Sequence, residues 1–235
     1  MTLAKPLDLL FISPLTKSPT KAYYRELLQG HIDQMASHGF KVTMIHVDPE
    51  SALAALAHSF SDIVVDVTGS KRHVRIIERA IRTVKERMRA TEAGLPFKVP
   101  RRFIAGIGRA VVARLNVFPA SGSPDSLGPR ELFTGIKLDY KKDLKFSVGD
   151  YVQTHENLDK TNGPEERTRG CIALYPLNNK AGSWKFYSLS PDREISRDDG
   201  TILPIPDVVL DRLKVHTMTC CLILITRIIS TMLWE

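Results

Sequence analysis

Two acidic residues in the first half of the chain have the types and the spacing of metal-binding carboxylates. Asp48 follows a predicted strand, and Glu78 lies inside a predicted long helix. Two-metal phosphoryl transfer needs carboxylates gathered around Mg²⁺, because hard cations prefer oxygen ligands and bridge the attacking and leaving oxygens. A strand-end Asp and a helix Glu can meet around such an ion. Two solvated surface acids explain the same pair, so the spacing alone leaves both interpretations open.

The predicted helix around Glu78 also carries a basic stripe. Its members recur at spacings of three and four, which places them on one face of a helix: Arg75, Glu78, Arg82, Lys85 and Arg89. Apolar residues on another side predict a core-facing surface: Val74, Ile77, Ile81, Val84 and Met88. The stripe is suited to holding phosphate backbones beside a metal ligand. The alternative is a solvated basic face whose acids only relieve charge repulsion.

The elements that would position these residues alternate between strand and helix. Short apolar or alternating runs predict strands over residues 7–12, 41–47 and 63–67. Helical periodicity with Gly or Pro stops predicts helices over residues 20–38, 51–58, 71–93 and 101–117. This alternation predicts an α/β layered structure for the first half of the chain.

The second half of the chain has a different pattern. Residues 119–129 are rich in Ser, Gly and Pro, which predicts a linker. Beyond the linker the helical period disappears, and strands are predicted over residues 146–152, 171–175, 184–189 and 194–197, with Asn, Gly and Pro turns between them. Short strands at close spacing predict a small β-barrel.

Composition narrows the classes of partner and compartment. The formal net charge of +7 favours acidic partners, namely nucleic acid or an anionic membrane surface. Three cysteines, Cys171, Cys220 and Cys221, are too few for a disulfide framework and have no zinc-type spacing with histidines, so no zinc site is predicted. The N-terminal sequence lacks the pattern of a secretory signal. The predicted location is therefore intracellular, in the cytoplasm or the nucleus.

Several segments, in the same order along the chain, resemble the integrase region of the copia-type LTR retrotransposon Pol polyprotein. They are IHVDPESAL at 45–53, GSKRHVRIIERAIRTVKERMR at 69–89, LPFKVP at 95–100, GPRELFTGIKLDYKKDLKFSVGDYVQTHE at 128–156 and RTRGCIALYPLNNKAGSWKFYSLSPDREISRDDGTILPIPD at 167–207. The resemblance covers about residues 5–213. It implies the C-terminal part of an RNase H-like integrase core, followed by a small all-β SH3-like barrel.

The resemblance also assigns roles to the two acids. Asp48 matches the second metal-binding carboxylate of the family and Glu78 the third, so both are candidate catalytic residues and ligands for Mg²⁺ or Mn²⁺. The family's first Asp belongs to a strand before the Lys5-Pro6-Leu7 segment, and Asp8 stands on a different strand, where it is a poor substitute. With two of three carboxylates, weak metal binding is expected. The chain is therefore expected to lack strand-transfer activity of its own, although the reaction it is related to is DNA integration.

The resemblance predicts four segments. These are a truncated RNase H-like core at 1–118, a linker at 119–130, an SH3-like barrel at 131–207 and a helical or apolar tail at 208–235. The family's central strand is expected to be missing, so the remaining strands of the core must pair directly or expose edges. For the tail, a packed helix, a membrane anchor and a read-through segment stay open. A membrane span is disfavoured because Arg227 interrupts a short apolar run.

The predicted partner is DNA, with RNA and a second copy of the chain as further partners. The predicted phosphate-binding residues are Lys71, Arg72, Arg75, Arg82, Lys85 and Arg89 on the long helix, and Lys141, Lys142 and Lys145 on the barrel. Two other functions are compatible with the sequence. One is a non-catalytic protein-interaction module that uses the SH3-like barrel, and the other is a protein tethered to a membrane through its tail.

Overall fold

A computed structural model describes residues 1–14, 20–47, 55–56, 60–67, 74–119, 126–155, 167–217 and 230–234, with backbone only at 74–75, 215–217 and 230–234. The chain is a mixed α/β protein that divides into two compact units. Unit 1 consists of Met1–Arg87, Arg114–Lys137 and Ile223–Glu235, and unit 2 consists of Met88–Ala113 and Leu138–Leu222. Each unit is therefore built from segments that are separate in sequence.

The strands, in chain order, are β1 Thr2–Lys5, β2 Leu9–Phe11, β3 Val42–Val47, β4 Val64–Val67, β5 Tyr151–His155, β6 Thr168–Pro176, β7 Trp184–Ser188, β8 Arg193–Arg197, β9 Gly200–Leu203 and β10 Ser230–Trp234. The helices are α1 Lys21–Ser37, α2 Val74–Ala93, α3 Ile104–Leu115, α4 Pro129–Thr134, α5 Tyr140–Asp143 and α6 Asp207–Thr217, with a 3-10 turn at Arg101–Phe103. The helix predicted over 51–58 lies largely outside the described residues.

The sheet of unit 1 is completed by the strand farthest along the chain. In the described residues its order is β2-β1-β10-β3-β4, with β10 parallel to β1 and antiparallel to β3. The sequence led us to expect that the core strands must pair directly or expose edges, but β10 lies between β1 and β3 instead. The helical part of the predicted tail corresponds to α6, whereas the strand at Ser230–Trp234 was not predicted.

Helices cover both faces of this sheet. Successive residues of a strand point to opposite faces, so two neighbouring residues of β1 show which helix lies on each side. Ala4 of β1 belongs to the apolar cluster that includes Tyr24 and Leu28 of α1. The neighbouring Leu3 packs instead with Ile77 of α2. Unit 1 thus has a helix, sheet and helix layering, and α2 is held by its apolar side.

The edge strand β2 is capped by a side chain rather than by another strand. The Asn116 side-chain amide accepts a hydrogen bond from the Leu10 N–H at 2.9 Å and donates one to the Leu10 carbonyl at 2.8 Å. Phe133 of α4 packs edge-on against Phe11 of the same strand, with ring centroids 6.1 Å apart. Residues 114–137 therefore pack in unit 1, whereas the predicted segments divide this stretch at 118 and 130.

The sheet of unit 2 is antiparallel throughout, with the order β8-β7-β6-β5-β9 in the described residues. It is an open sheet. The prediction of a closed barrel is wrong, because β8 and β9 are the two edges of the sheet and no described pairing joins them. The first predicted strand also begins later than expected, at Tyr151. A turn precedes it, in which the Ser147 N–H donates to the Asp150 carboxylate at 2.7 Å and Gly149 has a φ of 88°.

Although open, this sheet is strongly curled. Only positions 198–199 separate the edge strands β8 and β9. Three Cα–Cα steps span at most about 11 Å, whereas the edges of a flat five-stranded sheet lie about 19 Å apart. In agreement with this, Arg197 of β8 donates from Nε to the carbonyl of His155 at the end of β5, at 3.0 Å.

Aromatic residues pack on both sides of the unit 2 sheet, because Phe186 and Tyr187 are successive residues of β7. Phe146 packs edge-on against Trp184 and Phe186, with centroid separations of 5.7 and 5.3 Å. Phe103 contacts Tyr187 of β7, and Gly106 of α3 approaches Tyr175 of β6 so closely that an added Cβ would lie 3.3 Å from the ring. The 3-10 turn and α3 therefore pack against β6 and β7, and glycine permits the close approach.

Candidate nucleic-acid interface

The basic stripe predicted from the sequence lies on α2, whose two sides differ sharply in burial. Ile77 is fully buried and Val84 is 3% exposed, while Ile81 is partly buried in the cluster with Leu3. Glu78 and Arg82 are exposed on the other side of the helix. The predicted core-facing side of this helix is thus confirmed for the side chains that the structure describes.

Several of the predicted helix residues are placed by the structure. Arg82 and Arg89 are exposed and Lys85 is half-buried, so their charged groups are carried on the outer side of α2. Arg75 lies in the first turn of α2, where only its backbone is described. Lys71 and Arg72 lie outside the described residues. Two further exposed cations, Arg79 and Arg87, were not among the predicted residues.

Of the two predicted metal ligands, the described residues include Glu78 but not Asp48. Asp48 lies outside them, at the position directly after the end of β3. Glu78 is exposed on α2. Within the described ranges, no three His, Cys, Asp or Glu side chains form a group that could hold a metal ion. Asp8, rejected as a substitute for the first carboxylate, lies in the turn after β1 and forms an ion pair with Lys5.

A titratable pair that the sequence reading missed lies on strands β3 and β4. His46 and Asp66 are register partners on these parallel strands, and Nδ1 of the histidine lies 2.9 Å from Oδ2 of the carboxylate. His46 is mostly buried, whereas Asp66 is about half exposed. Both residues lie one position before the carboxyl ends of their strands, where ligand sites of parallel sheets are commonly found. The sequence signal was available, since each residue lies one position before the final valine of a predicted strand.

The lysines predicted to bind nucleic acid on unit 2 are largely engaged in internal contacts. The Lys142 ammonium donates to the carbonyl of Lys180 at 2.7 Å, and its alkyl chain lies against Gly182. Lys145 forms a hydrogen-bonded ion pair with Asp199, and the hydrogen bond from the ammonium lowers the pKa of the Asp199 carboxyl. Lys141 is exposed. The described unit 2 residues therefore offer less basic surface for a ligand than the lysine count suggests.

Two arginines of unit 2 also serve internal contacts. Arg102 lies over the ring of Tyr187 at 5.1 Å from its centroid and donates to its hydroxyl at 2.5 Å. Arg109 lies over Tyr175 at 4.9 Å and donates to that hydroxyl at 2.6 Å. These pairs join the 101–115 segment to the sheet through cation–π contacts and hydrogen bonds. Part of the chain's positive charge is therefore used in contacts within unit 2.

No helix in the described part of the chain combines the length and the apolar composition that a membrane crossing requires. No protein-family model matches the sequence, and no curated protein is significantly similar to it.

Proposed function

We propose that this chain is an integrase-derived protein of copia-type retrotransposon origin that binds DNA through the outer side of α2. The observation that supports the proposal is the separation of the two sides of this helix. Its apolar side is anchored on the unit 1 sheet, so the helix is held firmly while its cations remain in water. Binding to phosphates releases condensed counterions, and this term dominates DNA binding that has no sequence preference.

The architecture of each unit supports the proposed family in part. The mixed sheet of unit 1, with α1 and α2 on opposite faces, is compatible with a partial RNase H-like core. The curled sheet of unit 2 has consecutive antiparallel strands and brings its two edges close together, as in a small SH3-like fold. We therefore keep both fold assignments as proposals, with an open rather than a closed unit 2 sheet.

We propose DNA binding without strand transfer by this chain alone. By the resemblance, two of the family's three metal-binding carboxylates have counterparts in this sequence, namely Asp48 and Glu78. Glu78 projects from an exposed helix side, and the described residues do not add a metal-binding group around it. Incubation of the purified chain with a DNA end, a target duplex and Mn²⁺ tests this point. Joining of the two DNAs would overturn the proposed lack of activity.

DNA binding itself is tested with paired charge-removing variants. Arg82→Gln with Lys85→Gln removes two cations from the outer side of α2. Lys21→Gln with Arg25→Gln removes two exposed cations from α1 and is the matched control, because both variants lose the same charge. With a fluorescent duplex, we expect the slope of log affinity against log salt to become less steep by about 2 for the α2 variant alone. Equal losses in both variants, or a wild-type affinity that does not change with salt, would contradict the proposal.

The second candidate function is protein binding by unit 2, and exposed apolar residues favour it. Ile202 and Leu203 of the edge strand β9 are 47% and 41% exposed, and Val208 of α6 is 78% exposed. An open sheet edge with exposed apolar side chains offers a protein partner both main-chain hydrogen bonds and apolar contacts. A protein partner of this surface would stay bound as salt rises and would be lost on Ile202→Ser or Val208→Ser. The α2 variant would leave such binding unchanged.

A further inference from the structure

The strand β10 is an internal strand of a sheet whose other members are far from it in sequence. Its residues Ser230–Leu233 pair with Thr2–Lys5 of β1, and the same residues pair with Met44–Val47 of β3. Both hydrogen-bonding edges of β10 are therefore paired. Without it, the described sheet of unit 1 would be two separate two-stranded pairs, β2 with β1 and β3 with β4, which are marginally stable in isolation.

The covalent route to this strand passes through the other unit. Unit 1 residues stop at Lys137 and resume at Ile223, with Leu138–Leu222 in unit 2 between them. Twelve positions, 218–229, separate α6 from β10, and a connection of this length can span about 40 Å. The strand is thus seated by its pairing with β1 and β3, while the chain reaches it from unit 2, which ends at Leu222.

We propose that the space between β1 and β3 is a strand-acceptor site that takes the Ser230–Trp234 strand of a second copy as well as its own. The same main-chain ladder forms in either case, so the exchange creates a dimer without requiring a new interface, as in other domain-swapped pairs. The own strand has the advantage of belonging to the same chain, which makes its pairing independent of protein concentration. Refolding at high protein concentration therefore favours the exchanged dimer.

The internal position of the strand sets the kinetics of the exchange. An edge strand can leave after one ladder opens, whereas β10 leaves only when its pairing with both β1 and β3 opens. Monomer and exchanged dimer consequently interconvert slowly. A dimer that forms during concentrated refolding persists when the sample is diluted, whereas an ordinary reversible surface contact would dissociate.

Cysteine pairs across the β10–β3 ladder test this directly in the full chain. Met44 faces Leu233, and Ile45 faces Met232. Because hydrogen-bonded and non-hydrogen-bonded pairs alternate in an antiparallel ladder, one of these two positions has the closer approach that suits a disulfide. Met44→Cys and Leu233→Cys are made with different tags in a background with Cys171→Ala, Cys220→Ser and Cys221→Ser, so that each chain carries one cysteine. The two variants are mixed, co-refolded at high concentration and oxidised. Ile45→Cys and Met232→Cys form the second pair.

We expect a disulfide-linked heterodimer for at least one pair, well above the level from Met44→Cys mixed with Ile202→Cys, which pairs β3 with the edge of the unit 2 sheet. The double variants, with both cysteines in one chain, report the unexchanged strand. Closure within the double variants with no heterodimer in the mixtures would overturn the exchange and leave the internal strand standing. Failure of both would overturn the acceptor site itself. DNA binding is measured separately, so neither outcome depends on the proposed function.

Discussion

The sheets of the two units are assembled from the sequence in opposite ways. The unit 2 sheet uses strands between Tyr151 and Leu203. Consecutive strands pair from β5 to β8, and β9 returns to pair with β5. The unit 1 sheet joins β1, near the start of the chain, to β10 at Ser230–Trp234. Closing so long a loop costs more chain entropy before any contact repays it. The integrity of unit 1 therefore depends on a segment that a local reading of the sequence places outside the fold.

The difference explains which elements could be predicted. The periodicity of α2 and the alternation of β7 and β8 are local signals, and their observed bounds lie close to the predicted ones. Ser230–Trp234 gave only an apolar signal, because its pairing partners lie more than 180 positions away. The strand-end positions of His46 and Asp66 could be read from the sequence. Their pairing, like the Asn116 bonds to Leu10, depends on which segments lie side by side, and local periodicity does not show this.

The largest effect is expected from breaking the remote strand. Met232→Pro removes a ladder N–H in a strand with neighbours on both sides, where proline is essentially not tolerated. The partner carbonyl left unpaired alone costs about 1–3 kcal/mol, and the proline ring disturbs the paired backbone further. We expect unit 1 to unfold at lower denaturant concentration, as measured by limited proteolysis. In a Trp234→Phe background, the fluorescence of Trp184 should report an unchanged unit 2 transition. Met232→Val keeps the N–H and is the control. Equal shifts of the unfolding midpoints of both units would show that unit 2 depends on β10 as much as unit 1 does.

Acid should also act on unit 1 first, because the partly buried His31 lies there. Its imidazole lies 3.0 Å from the Thr2 hydroxyl and 3.1 Å from the Ser13 hydroxyl, and burial, with a smaller effect of the N-terminal amino group, lowers its pKa from 6.5 to about 4. Since the unfolded chain takes up the proton first, stability is lost as pH falls from 6.5 towards 4, by up to about 3 kcal/mol.

Denaturant melts at several pH values measure this loss. His31→Gln, which does not titrate in this range, should show a shallower loss of unit 1 stability over the same interval. The same slope in wild type and variant would show that other groups cause the acid sensitivity.

A smaller effect is expected at the edge strand β2. Asn116→Ala removes both hydrogen bonds to the Leu10 backbone, which should cost unit 1 about 2 kcal/mol if each bond contributes about 1. Gln34→Ala, at an exposed position of α1, is the control and should change stability little. Matching denaturation midpoints for the two variants would mean that water replaces Asn116 at this edge.

The smallest changes in stability are expected from alanine substitution of two helical glycines, one in each unit. Gly30 of α1 has open space where a Cβ would lie, so Gly30→Ala should stabilise unit 1 by about 0.5–1 kcal/mol. At Gly106 the added Cβ meets the Tyr175 ring, which Arg109 holds in place. Gly106→Ala should therefore fail to stabilise unit 2. Thermal melts that show the same gain for both variants would mean that the ring moves aside.

Residue-resolved amide hydrogen exchange on the wild-type chain tests most directly whether β10 completes the unit 1 sheet. The strands β1, β10 and β3 each have neighbours on both sides, so their amides belong to ladders. We predict that the amides of Ala4, Met232 and Ile45 are protected and open with a common free energy, because the three strands open together. Rapid exchange at Met232 beside slow exchange at Ala4 and Ile45 would contradict this account.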